Sequence, residues 1–344
     1  MRKISLLILA LFFLAGCGAP QKTVMRATAL MGTIWDITVV CDDEKVADKA
    51  IDEYFDEIAR LEKMLTLFEP KSELNILNSK AGTGPVKVSP EIVKILQTAI
   101  YVSELSDGAF DVSIGPVVKL WGFAGGKEKV PSDAEIKKAH GLVGYKMITI
   151  DTKKSTVTLA KKGMVLDFGG IAKGCAIDSA RPIFQKYKIK NVMISAGGQV
   201  YVTGKNPKGK DWSIGIIHPK ERGALLGVFD AAYKCVATSG NYERFFKEKG
   251  KLYHHIFNPT DSYPAKNTIS ATIILNAKDF EYPNTLADAL STAIFVTGRD
   301  KGKQIAEKVK NSAAIIVTDT EGVMKINFYE NSKSKLKLEL RTYN

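Results

Sequence analysis

Cysteine is scarce: four residues in a chain of 344, at Cys17, Cys41, Cys175 and Cys235. No two of them stand at the short paired spacing of a zinc site. If Cys17 is modified, as argued below, an odd three remain, which is no disulfide framework. Those three sit in apolar or small-residue stretches and read as buried free thiols. Aromatic residues are also few, at 9%, and no stripe interleaves them with basic positions. The excess of 49 Lys and Arg over 37 Asp and Glu therefore suits an acidic lipid or a phosphorylated ligand better than nucleic acid. There is no internal repeat, no long low-complexity linker, no Walker pattern and no dinucleotide fingerprint. Long apolar runs are missing too. The longest, Ile4 to Leu14 broken by Ser5, falls short of the about 20 residues a membrane-spanning helix needs. With 45% hydrophobic and 25% charged residues, the composition excludes a disordered, collagen-like or polytopic membrane chain.

What is present begins with an address. Arg2 and Lys3, the short apolar run, and then Leu14-Ala15-Gly16-Cys17 have the form of a secretory signal ending in a sequence that resembles the bacterial lipobox. Residues 1–16 are expected to be removed, with Cys17 lipidated and residues 17–23 forming a short tether. The mature protein is expected to be exported and held at a membrane facing the periplasm or cell exterior. Beyond the tether, Trp35, Ile37 and Val39 alternate with Asp36 and Thr38 as in a half-buried strand. Ala47, Ala50, Ile51, Tyr54, Ile58, Leu61 and Leu65 recur at helical spacing, and that helix ends before Pro70. Ser89-Pro90 opens a second helix, and Ser132 with Glu135 forms a capping box for a third. Strands then dominate: Met147–Ile150, Thr156–Leu159, an apolar stretch Met164–Leu166, Val192–Ser195, Val200–Thr203, Trp212–Ile217 and Ile269–Leu275. Helices interrupt them after Gly170 and around Leu286–Thr297. This order predicts an α+β fold in one compact unit over 24–344, with Lys333, Lys335 and Lys337 on a solvated edge strand.

Several stretches can carry chemistry. In Asp167-Phe168-Gly169-Gly170-Ile171-Ala172-Lys173-Gly174 a glycine pair stands between an apolar segment and a helix. It reads either as a tight turn with a surface lysine or as a cradle for an anion at a helix N-terminus. Ser195-Ala196-Gly197-Gly198 is a bulge or hairpin turn, and Ala109-Phe110-Asp111 leads to Gly115-Pro116 and Trp121-Gly122-Phe123 in what reads as a packed corner. Asp288 and Thr292 lie four apart, so their oxygens share a helix face. They serve either as ordinary helix residues or, with a backbone carbonyl, as a hard-oxygen set for Mg2+. His254 and His255 are adjacent on a strand, so at most one faces a given cleft, where it could move a proton. His140 and His218 read as surface or loop residues.

The order of these motifs is more informative than any one of them. Met31-Gly32-Thr33, Ser72-Glu73-Leu74, Gly108-Ala109-Phe110-Asp111, Ile114-Gly115-Pro116, Leu120-Trp121-Gly122-Phe123, Asp167 to Gly174, Ala196-Gly197-Gly198, Thr238-Ser239-Gly240, His254-His255-Ile256 and Ala287-Asp288 through Thr292 follow one another. This succession resembles the ApbE family of FAD:protein FMN transferases, from about Met31 to Gly298. The resemblance implies a single ApbE-like domain of mixed helices and antiparallel-rich sheets. It implies FAD as substrate, its pyrophosphate cleaved, FMN joined through a phosphoester to a Thr hydroxyl of a partner flavoprotein such as a redox-pump subunit, and AMP released. It further implies Mg2+ held by the Gly170 carbonyl and the Asp288 and Thr292 side chains. An FAD site would be lined by Met31, Phe68, Ala109, Phe110, Asp111, Asp167, Lys173 and Phe257, with His255 the candidate base. Hydrolysis of FAD to FMN and AMP is the close alternative, and a non-catalytic flavin-binding lipoprotein the more distant one. One departure stands out: where the family often has Thr-Gly after the histidines, this chain has Asp261-Ser262.

Overall fold

The alternating segment Thr33–Cys41 is a strand, the second in the main sheet after Lys22–Leu30. In Thr33–Cys41, Trp35, Ile37 and Val39 are buried on one side. The computed structural model describes residues 21–221 and 223–331. The residues expected to form a signal segment, Cys17 and the lysines Lys333, Lys335 and Lys337 lie outside them. Eight strands form one sheet in the order Lys22–Leu30, Thr33–Cys41, Asn191–Ala196, Gln199–Thr203, Lys234–Gly240, Thr268–Asn276, Ser312–Thr320 and Val323–Glu330. Every neighbouring pair is antiparallel.

Both faces of this sheet are covered, so its central strands are apolar on both sides. Ile273, Leu275, Ala314 and Ile316 face the main core with the helices. Their neighbours Ile274, Ala313, Ile315 and Val317 face a second core built with Trp212, Ile214, Ile216 and Phe229 of the hairpin Trp212–Ile217/Leu225–Ala231. Each of the fully buried Ile, Leu, Val and Phe side chains contributes about 1.5–3 kcal/mol. A third cluster, of Val117, Trp121, Phe123, Ile136, Ala139 and Phe257, stands beside the main core.

The helices follow their sequence periods. Glu44–Leu65 buries Ala47, Ala50, Ile51, Tyr54, Ile58, Leu61 and Leu65, and Asp43 caps it by accepting the Lys45 N–H at 2.9 Å. Ser89 caps Pro90–Leu105, and the Ser132/Glu135 capping box forms at the start of Asp133–His140. Thr156–Leu159 pairs with Ile148–Asp151 and Val86–Lys87 in a small sheet. Several expectations change. The tether expected over 17–23 is shorter, because Lys22 and Thr23 already pair with Cys41 and Val40 in the strand Lys22–Leu30. Met164–Leu166 is extended but is no strand: it has a single bridge, Ile114 to Val165. The Asn78 side chain substitutes for a neighbouring strand, accepting the Leu166 N–H at 2.7 Å and donating to its carbonyl at 3.0 Å. The expected helix around Leu286–Thr297 spans Pro283–Lys308, with Gly298 at φ 73° breaking it into two helical pieces. Cys235 is buried as expected, whereas Cys41 and Cys175 are half-buried. Among the described residues, no helix is long and apolar enough to cross a membrane.

Candidate active site

Two segments far apart in sequence meet here. In the first, Asp167 folds the turn back on itself, its Oδ1 accepting the Gly169 N–H at 2.7 Å. Gly170 follows, where a Cβ would stand 3.2 Å from Phe110 Cε2 and 3.3 Å from Thr292 Oγ1. Helix Ala172–Asp178 comes next and is only seven residues long, so its dipole makes a weaker anion site than the sequence pattern promised. In the second segment, the first helical piece of Pro283–Lys308 carries Asp288 and Thr292. Asp288 is 4% exposed, and its Oδ2 accepts the Gly174 N–H at 3.0 Å. Thr292 Oγ1 lies 3.2 Å from Ser239 Oγ, which also bonds Ser291 Oγ at 2.8 Å. The segment Gly170–Gly174 thus meets the Asp288/Thr292 face, through the Gly174–Asp288 hydrogen bond and the close approach of Gly170 to Thr292.

The hairpin Phe245–Glu248/Lys251–His254 leads into the two histidines. His255 Nδ1 lies 3.1 Å from the Arg244 carbonyl, which can only accept, so the ring donates from Nδ1 and Nε2 is left as an acceptor. Burial lowers the His255 pKa to about 4; the Arg244 carbonyl opposes this, while the charges of Arg244, His254 and Lys173 add to it. Burial also lowers His254, whose Nε2 donates to the Ala265 carbonyl at 2.9 Å and whose ring meets Phe295 edge-on. The two histidines therefore take different surroundings, as their alternation predicts. Arg244 donates to the Phe123 carbonyl and lies 5.8 Å from that ring's centre. Burial pushes the Asp167 carboxyl up, against the Gly169 N–H and the pull of Arg244 and Lys119.

The sequence profile of the ApbE family matches residues 31–316. The chain belongs to the ApbE family. It is 30% identical over 318 residues to a FAD:protein FMN transferase of Haemophilus influenzae, covering 90% of each chain. It is 29% identical over 332 residues to one of Treponema pallidum, covering 92% of this chain and 90% of the other. Among solved structures, the flavin transferase ApbE from Vibrio cholerae superposes with a TM-score of 0.80 at 26% identity, over 92% of this chain and 99% of that one. The ApbE protein from Thermotoga maritima gives 0.79 at 30% identity, over 89% and 97%.

Within this ApbE fold the residues singled out from sequence fall into different environments. Asp167 holds the Gly169 end of the turn, Gly170 approaches Thr292 and Gly174 bonds Asp288, while His255 lies within the electrostatic reach of Arg244 and Lys173. Phe110 is 4% exposed and its ring packs at Gly170. Asp111, beside Ala109, has both oxygens committed to the protein: Oδ1 accepts from the Ser113 N–H and hydroxyl, and Oδ2 from the Tyr145 N–H at 2.7 Å. It holds the loop, and burial raises its pKa against those bonds. Phe257 is buried with its ring 5.6 Å from Trp121 and 5.8 Å from Phe123, so it packs in the third cluster. Met31 occupies the turn between the first two strands at φ 49°, its N–H donating to Glu62 at 2.7 Å. Phe68 is 68% exposed, with its ring edge against Gly125.

At the Asp261-Ser262 departure the chain makes a turn, the Asp261 and Ser262 N–H groups both donating to the Asn258 carbonyl. Ser262 holds φ 61°, a left-handed conformation that glycine adopts without strain. Its Oγ bonds His140 Nδ1 at 3.0 Å, and its carbonyl accepts from Trp121 Nε1 at 3.1 Å. Asp261 is exposed and accepts the Tyr263 N–H at 2.9 Å. His140 is thus an exposed helix-end residue with a buried partner. His218 is the loop residue expected, accepting the N–H groups of Lys220 and Glu221.

Arg244 and Lys119 were missed from the sequence. Each carried a faint signal: Arg244 follows Thr238-Ser239-Gly240 by four residues, and Lys119 immediately precedes Leu120-Trp121-Gly122-Phe123. Among the described residues no group of three or more His, Cys, Asp and Glu could hold a metal. Asp288, the Thr292 hydroxyl and a Gly170 carbonyl supply one carboxylate and two neutral oxygens. That donor set suits Mg2+, which commonly takes few protein ligands and completes its shell with phosphate oxygens and water.

Proposed function

We propose that this chain is an FAD:protein FMN transferase that uses Mg2+ and moves FMN from FAD to a Thr hydroxyl of a partner flavoprotein. The observation that carries this reading is the meeting of the Gly170–Gly174 segment with the Asp288/Thr292 helix face, in a chain whose relatives bear that enzyme name. In the reaction the acceptor oxygen bonds to the FMN phosphorus, the bond from that phosphorus to the bridging oxygen breaks, and AMP leaves carrying the oxygen. His255 Nε2 takes the hydroxyl proton. Lys173 and Arg244 add positive charge where the diphosphate binds. Asp288, Thr292 and Gly170 would hold Mg2+, which supplies Lewis-acid neutralisation of the phosphate charge. Export and anchoring through Cys17 belong to the same proposal.

The test mixes protein beginning at Gly18 with FAD, Mg2+ and a candidate acceptor domain. A fluorescent acceptor band in a denaturing gel together with AMP supports transfer. FMN and AMP without a labelled acceptor indicate hydrolysis, and no turnover of FAD removes the enzymatic reading.

A further inference from the structure

The helix that carries Asp288 and Thr292 does not cap itself. Tyr282 stands at its N-cap and makes no side-chain bond to the first turn. The cap comes instead from Asp178, at the far end of helix Ala172–Asp178. Its Oδ1 accepts the Asn284 N–H at 3.0 Å and the Asn284 side-chain amide at 2.8 Å. Its Oδ2 accepts the Thr285 N–H at 2.8 Å and the Thr285 hydroxyl at 2.6 Å. Both carboxylate oxygens are thus used on two consecutive residues of one first turn, where an anion is also favoured by the helix dipole.

One turn earlier in the same short helix, the Gly174 N–H donates to Asp288. A Cβ at Gly174 would run into the Asn284 carbonyl and the Thr285 Cα, so the two backbones touch. The short helix therefore grips the long one at two points. Gly174 fixes one Asp288 oxygen, and Asp178 fixes the rotation and height of the turn before it. Gly170, at the other end of the short segment, meets Thr292. Displacing the first turn of the long helix would change the relation of Asp288 and Thr292 to Gly170.

We infer that Asp178 is a positioning residue for the magnesium site, setting the register between the Gly170 turn and the Asp288/Thr292 face without itself touching metal or substrate. This rests on the Mg2+ reading given above. Outer partners that orient metal ligands typically account for about 10–100-fold in metal affinity.

The test compares wild type, Asp178→Asn and Thr285→Val by calorimetric titration with Mg2+ and by the rise in melting temperature that Mg2+ produces. FAD affinity without Mg2+ is measured beside them, well below each variant's melting temperature. For Asp178→Asn, Mg2+ affinity should fall about 10–100-fold while metal-free FAD affinity stays within about 2-fold. Activity should recover as Mg2+ is raised, and Asp178→Glu should not restore affinity, because its longer chain displaces the same turn. A folded Asp178→Asn protein with wild-type Mg2+ affinity overturns the inference. If Asp178→Asn does not fold, Thr285→Val, which loses one of the four bonds, decides: weakened Mg2+ binding supports the clamp and unchanged binding overturns it. A wild-type protein that binds no Mg2+ overturns the magnesium reading along with the clamp, whereas wild-type binding with unaltered variants overturns the clamp alone.

Discussion

His255 keeps its one ring proton on Nδ1, toward a carbonyl, and with its pKa at about 4 its Nε2 is unprotonated throughout the neutral range. The acid limb of turnover should accordingly lie below the ordinary histidine value of 6.5, and His255→Gln should remove that limb along with most activity. The same shift has a consequence for stability. Between pH 6.5 and about 4 the unfolded chain binds a proton that the native ring refuses, so this residue's contribution is lost on acidification. Asp178 has the opposite sign: burial raises it from 3.8 to about 6, outweighing its bonds, so its contribution is lost as pH rises through that range. The two oppose each other in one window, and only a difference measurement separates them. Urea midpoints at about pH 7 and about pH 4.5 should show wild type losing more stability on acidification than His255→Gln, and equal losses would refute the assignment. At the proposed metal face, Asp288→Ala should cut AMP release by about 10²–10³-fold, the scale of losing a major electrostatic stabiliser. A near-normal rate at saturating Mg2+ would dispose of the ligand role. The shared helix face of Asp288 and Thr292 was legible from their four-residue spacing, whereas the choice of a metal role for that face came only from the family resemblance. Arg244 was not legible, because what brings it to the site is the fold of a hairpin rather than any period in its own neighbourhood.

At the scale of elements, the site is a contact between a seven-residue helix and the start of a long one, and glycine sets how close they come. Gly174 is the position where this can be tested. Gly174→Ala places a methyl group against the backbone of Asn284 and Thr285, which cannot rotate away as a flexible side chain would. The helices must separate, breaking the Gly174–Asp288 bond and straining the Asp178 bonds. Overpacking of this kind costs about 1–3 kcal/mol, and the lower urea midpoint should be accompanied by loss of Mg2+-dependent activity at temperatures where the variant is still folded. Full activity in a folded Gly174→Ala protein would mean the contact is looser than described. Helix faces and caps could be read from sequence, since the period of Glu44–Leu65 and the Ser132/Glu135 box are local signals. Met164–Leu166 could not be told from a strand, because its apolar side chains and extended backbone are those of a strand. Both backbone hydrogen bonds of Leu166 go to the Asn78 side chain, and no local pattern announces that.

For the whole molecule, the alternation of single strands was legible but their pairing was not. Thr33–Cys41 lies beside Asn191–Ala196, about 150 residues on, and the helices between them decide this by packing on one face of the sheet. The strands' two-sided burial likewise depends on the hairpin Trp212–Ile217/Leu225–Ala231 on the other face. The sheet begins at Lys22, five residues after Cys17. At full extension such a connection reaches only about 17 Å, so a lipid on Cys17 would hold the domain close to the membrane surface. For an acceptor embedded in that membrane, tethering raises the effective concentration of enzyme without adding any contact. For the same acceptor domain made soluble, it adds nothing. Cys17→Ser, exported through an ordinary cleavable signal, should therefore leave the membrane fraction. It should modify the soluble domain at the wild-type rate and the embedded acceptor more slowly, by an order of magnitude or more at equal expression. Equal rates on the embedded acceptor, with the variant recovered in the soluble fraction, would show that the anchor has no part in bringing enzyme and acceptor together.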